Sequence, residues 1–567
     1  MPKDKSNAPE TGLILGLDVG GTQTDAVLIS PEGVVSSVKV PTGDDLQATL
    51  QEAVGKTVSG VPPERVIRLA FSTTMATNAI VQDRLAPAGM IVSAGPGMDP
   101  AGFAVGPSYH VVDGCLEHRG FEAKALDREA VFAALESIRA QGIRALGLVS
   151  KFSVRNPAHE LQMAEWAAPG FPHPAMGHQV SGNLNFPRRI VTTYLNAALQ
   201  ESHEAFVRAL VLILKEYGLQ GPRYLLKPDG GTVGLEESLR FPARTAQSGP
   251  AASIMGALAL APGTGTTLVL DVGGTTTDIG IIYEGAPLLE PFGIRLGPYL
   301  TLIRSLQTRS IGIGGDSEVR ADSDRRLRIG PIRSGPPAAL GGPSPTPTDA
   351  MIVLGLLEAG DPEQALRAME PISAVLGLEV METAKAVLDR TAELIAESVR
   401  AFLHFINLQP VYTVREVLED VTIEPTGMVL VGGPAAQLAG PLERVLGIPC
   451  RVPSHAGVAN AVGAAVSRVT SEVSLQADTG RGTVVVPEAG IHQFIDSEFG
   501  LEQGMAMARE ALEKAVVEAG GTYVEPEVVV TEQQSFNMIQ GFMRTGRNIR
   551  LCMCVMPGLI PEWAGRY

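Results

Sequence analysis

A twelve-residue segment occurs twice in this chain of 567 residues, and that repeat limits the architectures open to it. Residues 18–29 read DVGGTQTDAVLI and residues 271–282 read DVGGTTTDIGII, with eight of the twelve positions identical. A match of that length is one device used twice, which implies two similar domains. The flanks define the device. An apolar run at 13–17 precedes the first copy, 26–29 closes it, and 34–40 follows a Pro31-Glu32-Gly33 turn. Residues 268–270 and 279–283 flank the second copy in the same way. Each glycine turn therefore joins strand to strand. A P-loop or a dinucleotide fingerprint joins strand to helix, and neither spacing fits these residues.

In DVGGT the glycines leave the turn backbone uncovered, so its N–H groups can approach phosphate oxygens closely. Thr22, Thr24, Thr275 and Thr277 add hydroxyl donors. Asp18 and Asp271 stand at strand ends, where a carboxylate can hold Mg²⁺ through water or orient an attacking water. Two such hairpins facing each other would clamp a nucleotide phosphate chain. One Gly-Gly-Thr alone is equally well a tight turn; the second copy, with aspartates at the same positions, favours the clamp. Downstream, the apolar residues 429–431 end in Gly432-Gly433-Pro434. That bare turn can accept a base or ribose against its backbone.

The order of these three turns resembles the actin, sugar-kinase and heat-shock-ATPase superfamily. The resemblance implies an α/β, actin-like ATPase fold, with two ribonuclease-H-like domains flanking a nucleotide cleft. Further segments resemble the hydantoinase A/5-oxoprolinase family: DVGGTQTD, STTMATNA at 72–79, FSVRNPAHE at 152–160, TTYLNA at 192–197, SGPAA at 248–252, DVGGTTTD, IGIGGDS at 311–317 and TPTDA at 346–350. Residues 341–347, GGPSPTP, depart from the family's PGPACYG pattern. The family implies ATP- and Mg-dependent opening of a cyclic amide, of hydantoin or 5-oxoproline type, after phosphoryl transfer to the carbonyl oxygen. On that reading Asp18 and Asp271 are catalytic and hold Mg²⁺ through water. Gly20, Gly21, Thr22, Thr24, Gly273, Gly274, Thr275 and Thr277 cradle phosphates. Gly432 and Gly433 support adenosine, and Gly314, Gly315 and Asp316 loop over the nucleotide. Thr73, Thr74, Thr77 and Asn78 either line the substrate pocket or cap a helix start. Asp25 and Asp278 either bond the turn backbone, the favoured reading, or face the cleft. Two other functions stay open: a carboxylase subunit of the acetone or acetophenone type, and a non-catalytic nucleotide-binding regulatory subunit. Family members often work with a B-type partner subunit, so such a partner, or a homo-oligomer, is expected.

Composition narrows the remaining classes. The formal net charge of −16 argues against a sequence-independent nucleic-acid binder and against an anionic-membrane binder. There is no run of about 18 apolar residues of the kind that spans a membrane. The N-terminal MPKDKSNAPE lacks the apolar core of a secretory signal. The four cysteines are too scattered for a disulfide framework, so a reduced, cytoplasmic setting is expected. Cys552 and Cys554 read as buried small hydrophobes on one face of a strand. The expected division is 1–190 and 191–471 for the two actin-like domains, with a small α+β extension at 472–567. Helical periodicity marks 44–57, 127–141, a helix from 187 toward 217 with a break, and 380–406. Ser248 is expected to cap the helix containing Pro250, and Asp349 to cap one beginning at Ala350.

Overall fold

The computed structural model describes residues 12–408, 422–522, 528–561 and 563. Each copy of the repeated segment is a β-hairpin at the centre of its own sheet. The first sheet runs Thr232–Gly234, Arg223–Leu226, Val66–Thr73, Leu13–Val19, Gln23–Ser30, Gly33–Pro41. The second runs Ala286–Pro287, Thr277–Tyr283, Thr267–Val272, Gly427–Val431, Cys450–Arg451, with Thr308–Ile311 also paired to Thr277–Tyr283. The registers correspond: Asp18 opposes Asp25 and Asp271 opposes Asp278. On its other side each inner hairpin strand has a parallel neighbour. A parallel neighbour requires a long crossover connection. In both sheets the aspartate therefore sits at the carboxyl end of a central, buried strand.

Two helices, Ser248–Leu260 and Ala459–Val466, lie between the sheets. Their sequences, SGPAASIMGALAL and ANAVGAAV, are apolar and small on every side, as a helix buried all round must be. They share one core with Ile14, Val27 and Ile29 of the first sheet and Val269, Ile282, Val429 and Val431 of the second. The contact is at backbone distance. A Cβ on Gly463 would lie 2.1 Å from the Ala252 carbonyl oxygen, and one on Gly16 would lie 2.3 Å from that of Ala461. Leu46–Thr57 and Phe186–Glu216 cover the outer face of the first sheet. Pro347–Val353, Pro362–Leu376, Val380–Asn407 and Ala435–Leu446 cover that of the second.

A smaller four-stranded sheet carries Ala88–Ser93 and Ala145–Ser150 at its centre. From Glu472 onward, five strands form one antiparallel sheet with helix Leu501–Glu518 packed on its apolar face. Leu551 and Met553 enter that core, while Cys552 and Cys554 point to the opposite face. Burial pushes both thiols up.

Several local expectations change in three dimensions. The helix expected to break between 187 and 217 is continuous over Phe186–Glu216: no Gly interrupts it and its one Pro, Pro187, stands in the first turn, while residues 192–199 are buried on every side. The expected border at 190/191 falls inside that helix, and the chain returns to the first sheet at Arg223–Leu226 and Thr232–Gly234. Ser248 is not the cap of its helix. Gln247 precedes it in a left-handed conformation (φ 62°), and Ser248 Oγ donates to the Thr73 carbonyl oxygen instead. Asp349 is not the N-cap either, but closes a capping box from the third helical position. Thr346 caps helix Pro347–Val353, and the Asp349 carboxylate accepts from the Ala338, Ala339 and Thr346 amides, knotting the Pro/Gly-rich loop to the helix.

Candidate nucleotide cleft

The two hairpin turns are built alike. The Gly20 amide donates to the Gln23 carbonyl at 3.0 Å, and the Gly273 amide to that of Thr276 at 2.9 Å. Gly21, Thr22 and Thr275 are exposed at the tips and Gly274 is half-buried. Thr24 and Thr277 are fully buried. The Thr24 hydroxyl pairs with that of Thr42 at 2.9 Å, and Thr277 Oγ1 donates to the Ile313 carbonyl at 2.7 Å. Those two hydroxyls brace the hairpins from within, whereas Thr22 and Thr275 stand free at the tips.

Behind the tips the structure gathers four carboxylates. Asp18 accepts from Ser72 Oγ, and Asp271 from Ser253 Oγ. The side chain of Asn460, at the start of helix Ala459–Val466, favours the ionised form of both. Asp25 pairs with Lys39 Nζ at 2.6 Å across the strands, and Asp278 accepts from Ser310 Oγ. Burial pushes the Asp18 carboxyl up to about 6, against the Ser72 hydrogen bond, with Asp25 and Asp271 adding repulsion. Burial also raises Asp271, and it raises Asp278 to about 7 with the Asp271 charge as the next cause. Asp25 is raised by burial and partly relieved by Lys39. Asp25 and Asp278 were expected to bond the turn backbone; they meet side chains instead and belong to this electrostatic cluster.

The other sequence candidates surround the cluster. Gly432 (φ 95°) backs onto the second hairpin, since a Cβ there would lie 2.2 Å from the Val272 carbonyl oxygen and 2.6 Å from Asp271 Oδ1. A Cβ on Gly433 would meet nothing within 4 Å, so that turn faces open space. Gly314 and Gly315 pack on the second turn itself: the Gly315 amide donates to the Gly273 carbonyl at 2.9 Å, and the Asp316 amide to that of Gly274 at 2.6 Å. Residues 73–78 join the first hairpin to helix Ser248–Leu260. The Thr74 amide donates to the Val19 carbonyl at 3.1 Å. The Thr73 amide donates to Ser248 Oγ at 3.3 Å, and Thr77 Oγ1 accepts from the Gln247 amide at 2.6 Å. Asn78 Nδ2 donates to Thr74 Oγ1 at 3.3 Å and lies beside Gly21. Thr73 and Thr77 thus bond backbone, while Asn78 borders the first hairpin tip. Asn156 and His159 lie elsewhere. Asn156 Nδ2 donates to the Gly120 carbonyl at 2.8 Å, and His159 Nε2 pairs with Glu122 Oε1 at 2.9 Å.

Sequence reading missed Ser253, Lys39 and Asn460. Nothing near them in sequence points at an aspartate; only the register Asp25↔Lys39 and the helix crossing bring them there. The donor set suits Mg²⁺ held through its own water. Asp18 feels the charges of Asp25 and Asp271, and Asp278 those of Asp271 and Asp18, while Lys39 pairs with Asp25, so a cation would relieve their repulsion. Among the described residues no three His, Cys, Asp or Glu side chains are grouped to ligate a metal directly.

Residues 189–473 match the hydantoinase/oxoprolinase family, and residues 14–169 match the hydantoinase/oxoprolinase N-terminal region. The acetophenone carboxylase gamma subunit of Aromatoleum aromaticum is 27% identical over 461 residues, covering 70% of this chain and 62% of the relative. The caprolactamase subunit alpha of Pseudomonas jessenii is 26% identical over 467 residues, covering 74% and 65%. The chain therefore spans less than two thirds of the length of these relatives. Among solved structures, nucleotide-free acetone carboxylase superposes with a TM-score of 0.70 at 17% identity, over 97% of this chain and 88% of that one. The ATP-dependent caprolactamase of Pseudomonas jessenii superposes with a TM-score of 0.69 at 20% identity, over 96% and 87%. These likenesses establish the fold expected from the repeat. No helix among the described residues is long and apolar enough to cross a membrane. The repeated hairpins, their order along the chain and the two matched regions identify the chain as a member of the hydantoinase/oxoprolinase family.

Proposed function

We propose that this chain is an ATP- and Mg²⁺-dependent hydrolase of a cyclic amide, acting through phosphoryl activation of the carbonyl oxygen. The observation that carries the reading is the pair of matched hairpins, each with a buried aspartate near the end of its inner strand, Asp18 bonded by Ser72 and Asp271 by Ser253. A cyclic amide resists water because resonance makes its carbonyl carbon a poor electrophile. Transfer of the γ-phosphoryl group to the carbonyl oxygen gives an imidate phosphate and ADP. Water then adds at carbon, the ring C–N bond breaks, and a second water releases phosphate from the acyl phosphate. The residues present chiefly position reactants and stabilise charge. The exposed turns at Gly20–Gly21–Thr22 and Gly273–Gly274–Thr275 offer backbone donors to the phosphates. Gly433 leaves room for adenosine. Asp18 and Asp271 would hold Mg²⁺ through water, which supplies charge neutralisation on the phosphates. Asn78, beside the first tip, borders the space where the carbonyl compound would lie.

A second reading has a specific observation behind it: one of the two relatives above is a subunit of a carboxylase. Phosphoryl transfer to a ketone enolate or to bicarbonate would use the same hairpins. In either case the chain would work with a partner subunit, as the relatives' names describe them as subunits. The test is phosphate release from Mg·ATP by the purified chain, with 5-oxoproline, hydantoin or caprolactam, and separately with acetone or acetophenone plus bicarbonate. Asp18→Asn and Asp271→Asn serve as controls. Release stimulated by a lactam and lost in both variants is the expected result. Stimulation only by ketone and bicarbonate moves the chain to the carboxylases. Tight nucleotide binding without turnover, even with a co-purified partner, makes it a regulatory subunit. Absence of nucleotide binding refutes the clamp.

A further inference from the structure

The two hairpin tips are alike in sequence and unlike in their surroundings. Beside Gly21 of the first tip lies an amide donor, since a Cβ there would meet Asn78 Nδ2 at 3.4 Å. Its counterpart in the second tip, Gly274, lies under a carboxylate: a Cβ there would be 2.7 Å from Asp316 Oδ2 and 3.1 Å from Asp316 Cγ. An N–H donor suits a phosphate oxygen, whereas a carboxylate repels one. The Asp316 backbone is fixed to the turn, because its amide and that of Gly315 donate to the Gly274 and Gly273 carbonyls at 2.6 and 2.9 Å. Its side chain is held by Arg333, whose Nη2 donates to Asp316 Oδ2 at 3.0 Å. Arg333 stands in the loop after strand Leu327–Ile329. That loop is tied alongside: the Gly330 amide donates to the Glu318 carbonyl at 3.0 Å, and the Glu318 amide to the Ile332 carbonyl at 2.9 Å.

The Nε and Nη2 hydrogens of a guanidinium form a fork that matches two oxygens of a carboxylate or a phosphate. Here only half of the fork is used. Arg333 Nε is buried and has no hydrogen-bond partner among the described residues. A buried donor without an acceptor is costly, so the pair with Asp316 leaves the guanidinium short of one oxygen. A phosphate in the place of the carboxylate can offer an oxygen to each donor of the fork and others to the turn backbone.

We propose that Arg333 binds a nucleotide phosphate at the second hairpin, and that Asp316 holds its guanidinium at the tip until that phosphate displaces the carboxylate. The exchange needs only rotation of the Asp316 side chain, since its backbone bonds to the turn remain. The proposal rests on the nucleotide reading above and adds a charged side chain to the backbone donors of the turn.

Calorimetric titration of the full chain with ADP, once in Mg²⁺ and once in EDTA, tests it. Arg333→Gln should weaken ADP binding about tenfold in both conditions, because a charged donor to the phosphate is lost. Asp316→Asn keeps the shape and removes the competing charge, so it should tighten ADP binding about threefold or more in both. Both substitutions break the same ion pair, so a purely structural role predicts changes of the same sign from each. Changes of the same sign, or no change in either variant, overturn the proposal. Weaker binding by Asp316→Asn in Mg²⁺ alone also overturns it, and makes Asp316 a group on the metal side. Urea midpoints without nucleotide report whether each variant folds. Should Arg333→Gln not fold, Arg333→Lys replaces it; it keeps the charge without the fork and should weaken ADP binding by a smaller factor, and unchanged binding there overturns the proposal equally. If neither the wild type nor Asp316→Asn binds ADP, the nucleotide reading fails and takes this proposal with it. Wild-type binding with same-sign variants removes this proposal alone.

Discussion

Asp18→Asn should stabilise the folded chain at alkaline pH while removing its proposed activity. Asp18 is 7% exposed, and burial raises its carboxyl from an ordinary 3.8 to about 6. A carboxyl raised in the folded state binds its proton more tightly there than in the unfolded chain. Its favourable contribution is then complete below about 4 and is lost as pH rises through about 6. The displacement from 3.8 to about 6 corresponds to about 3 kcal/mol of cost for the ionised form, reached by pH 8. Asparagine has the same shape, keeps an acceptor for Ser72, and carries no charge to desolvate. Urea unfolding in EDTA should therefore show Asp18→Asn ahead of wild type by up to about 3 kcal/mol at pH 8, with the gap closing toward pH 4.5. Because Asp18, Asp25, Asp271 and Asp278 repel one another, part of the gain will appear as easier ionisation of the other three. A gap that is absent at pH 8, or that widens toward acid, refutes the reasoning. The same variant should release no phosphate from Mg·ATP, which would make this carboxylate a group retained at the expense of stability.

Three further outcomes follow from other parts of the molecule. Gly463→Ala should cost about 3 kcal/mol or more in urea unfolding, because its Cβ would meet the Ala252 carbonyl oxygen at 2.1 Å and the Gly256 nitrogen at 2.5 Å, and backbone cannot yield as a side chain does. Gly433→Val should leave the unfolding midpoint near wild type, since a Cβ there meets nothing within 4 Å, yet weaken ADP binding in calorimetry by covering the turn. His203 is buried, with Nε2 2.8 Å from Ser238 Oγ, and burial lowers its pKa from 6.5 to about 4. Its neutral form favours the fold above 6.5, and about 3 kcal/mol is lost as pH falls through about 4; His203→Gln should flatten that acid limb of the stability curve.

The parts of this protein that follow local rules could be read from the chain directly. A hairpin whose strands flank DVGGT needs only neighbouring residues to form, and two copies in equivalent registers required nothing more than the repeat. Helices such as Arg128–Ala140 and Val380–Asn407 declare themselves by their apolar period. Local rules failed where a side chain had a better partner far away. Ser248 left its helix end for Thr73, and Asp349 reached back to Ala338 and Ala339. The pairing of Arg223–Leu226 with Val66–Thr73 is likewise non-local, because it depends on a sheet edge more than a hundred residues upstream. Above all, the cluster at the cleft came from packing. Two aspartates 253 positions apart come close enough to repel one another only because glycines at 16, 256 and 463 let two helices and a strand touch backbone to backbone. Composition and spacing name the groups that a turn exposes; which charges end up near one another, and what that does to their protons, depends on distances set by the crossing of elements remote in the chain.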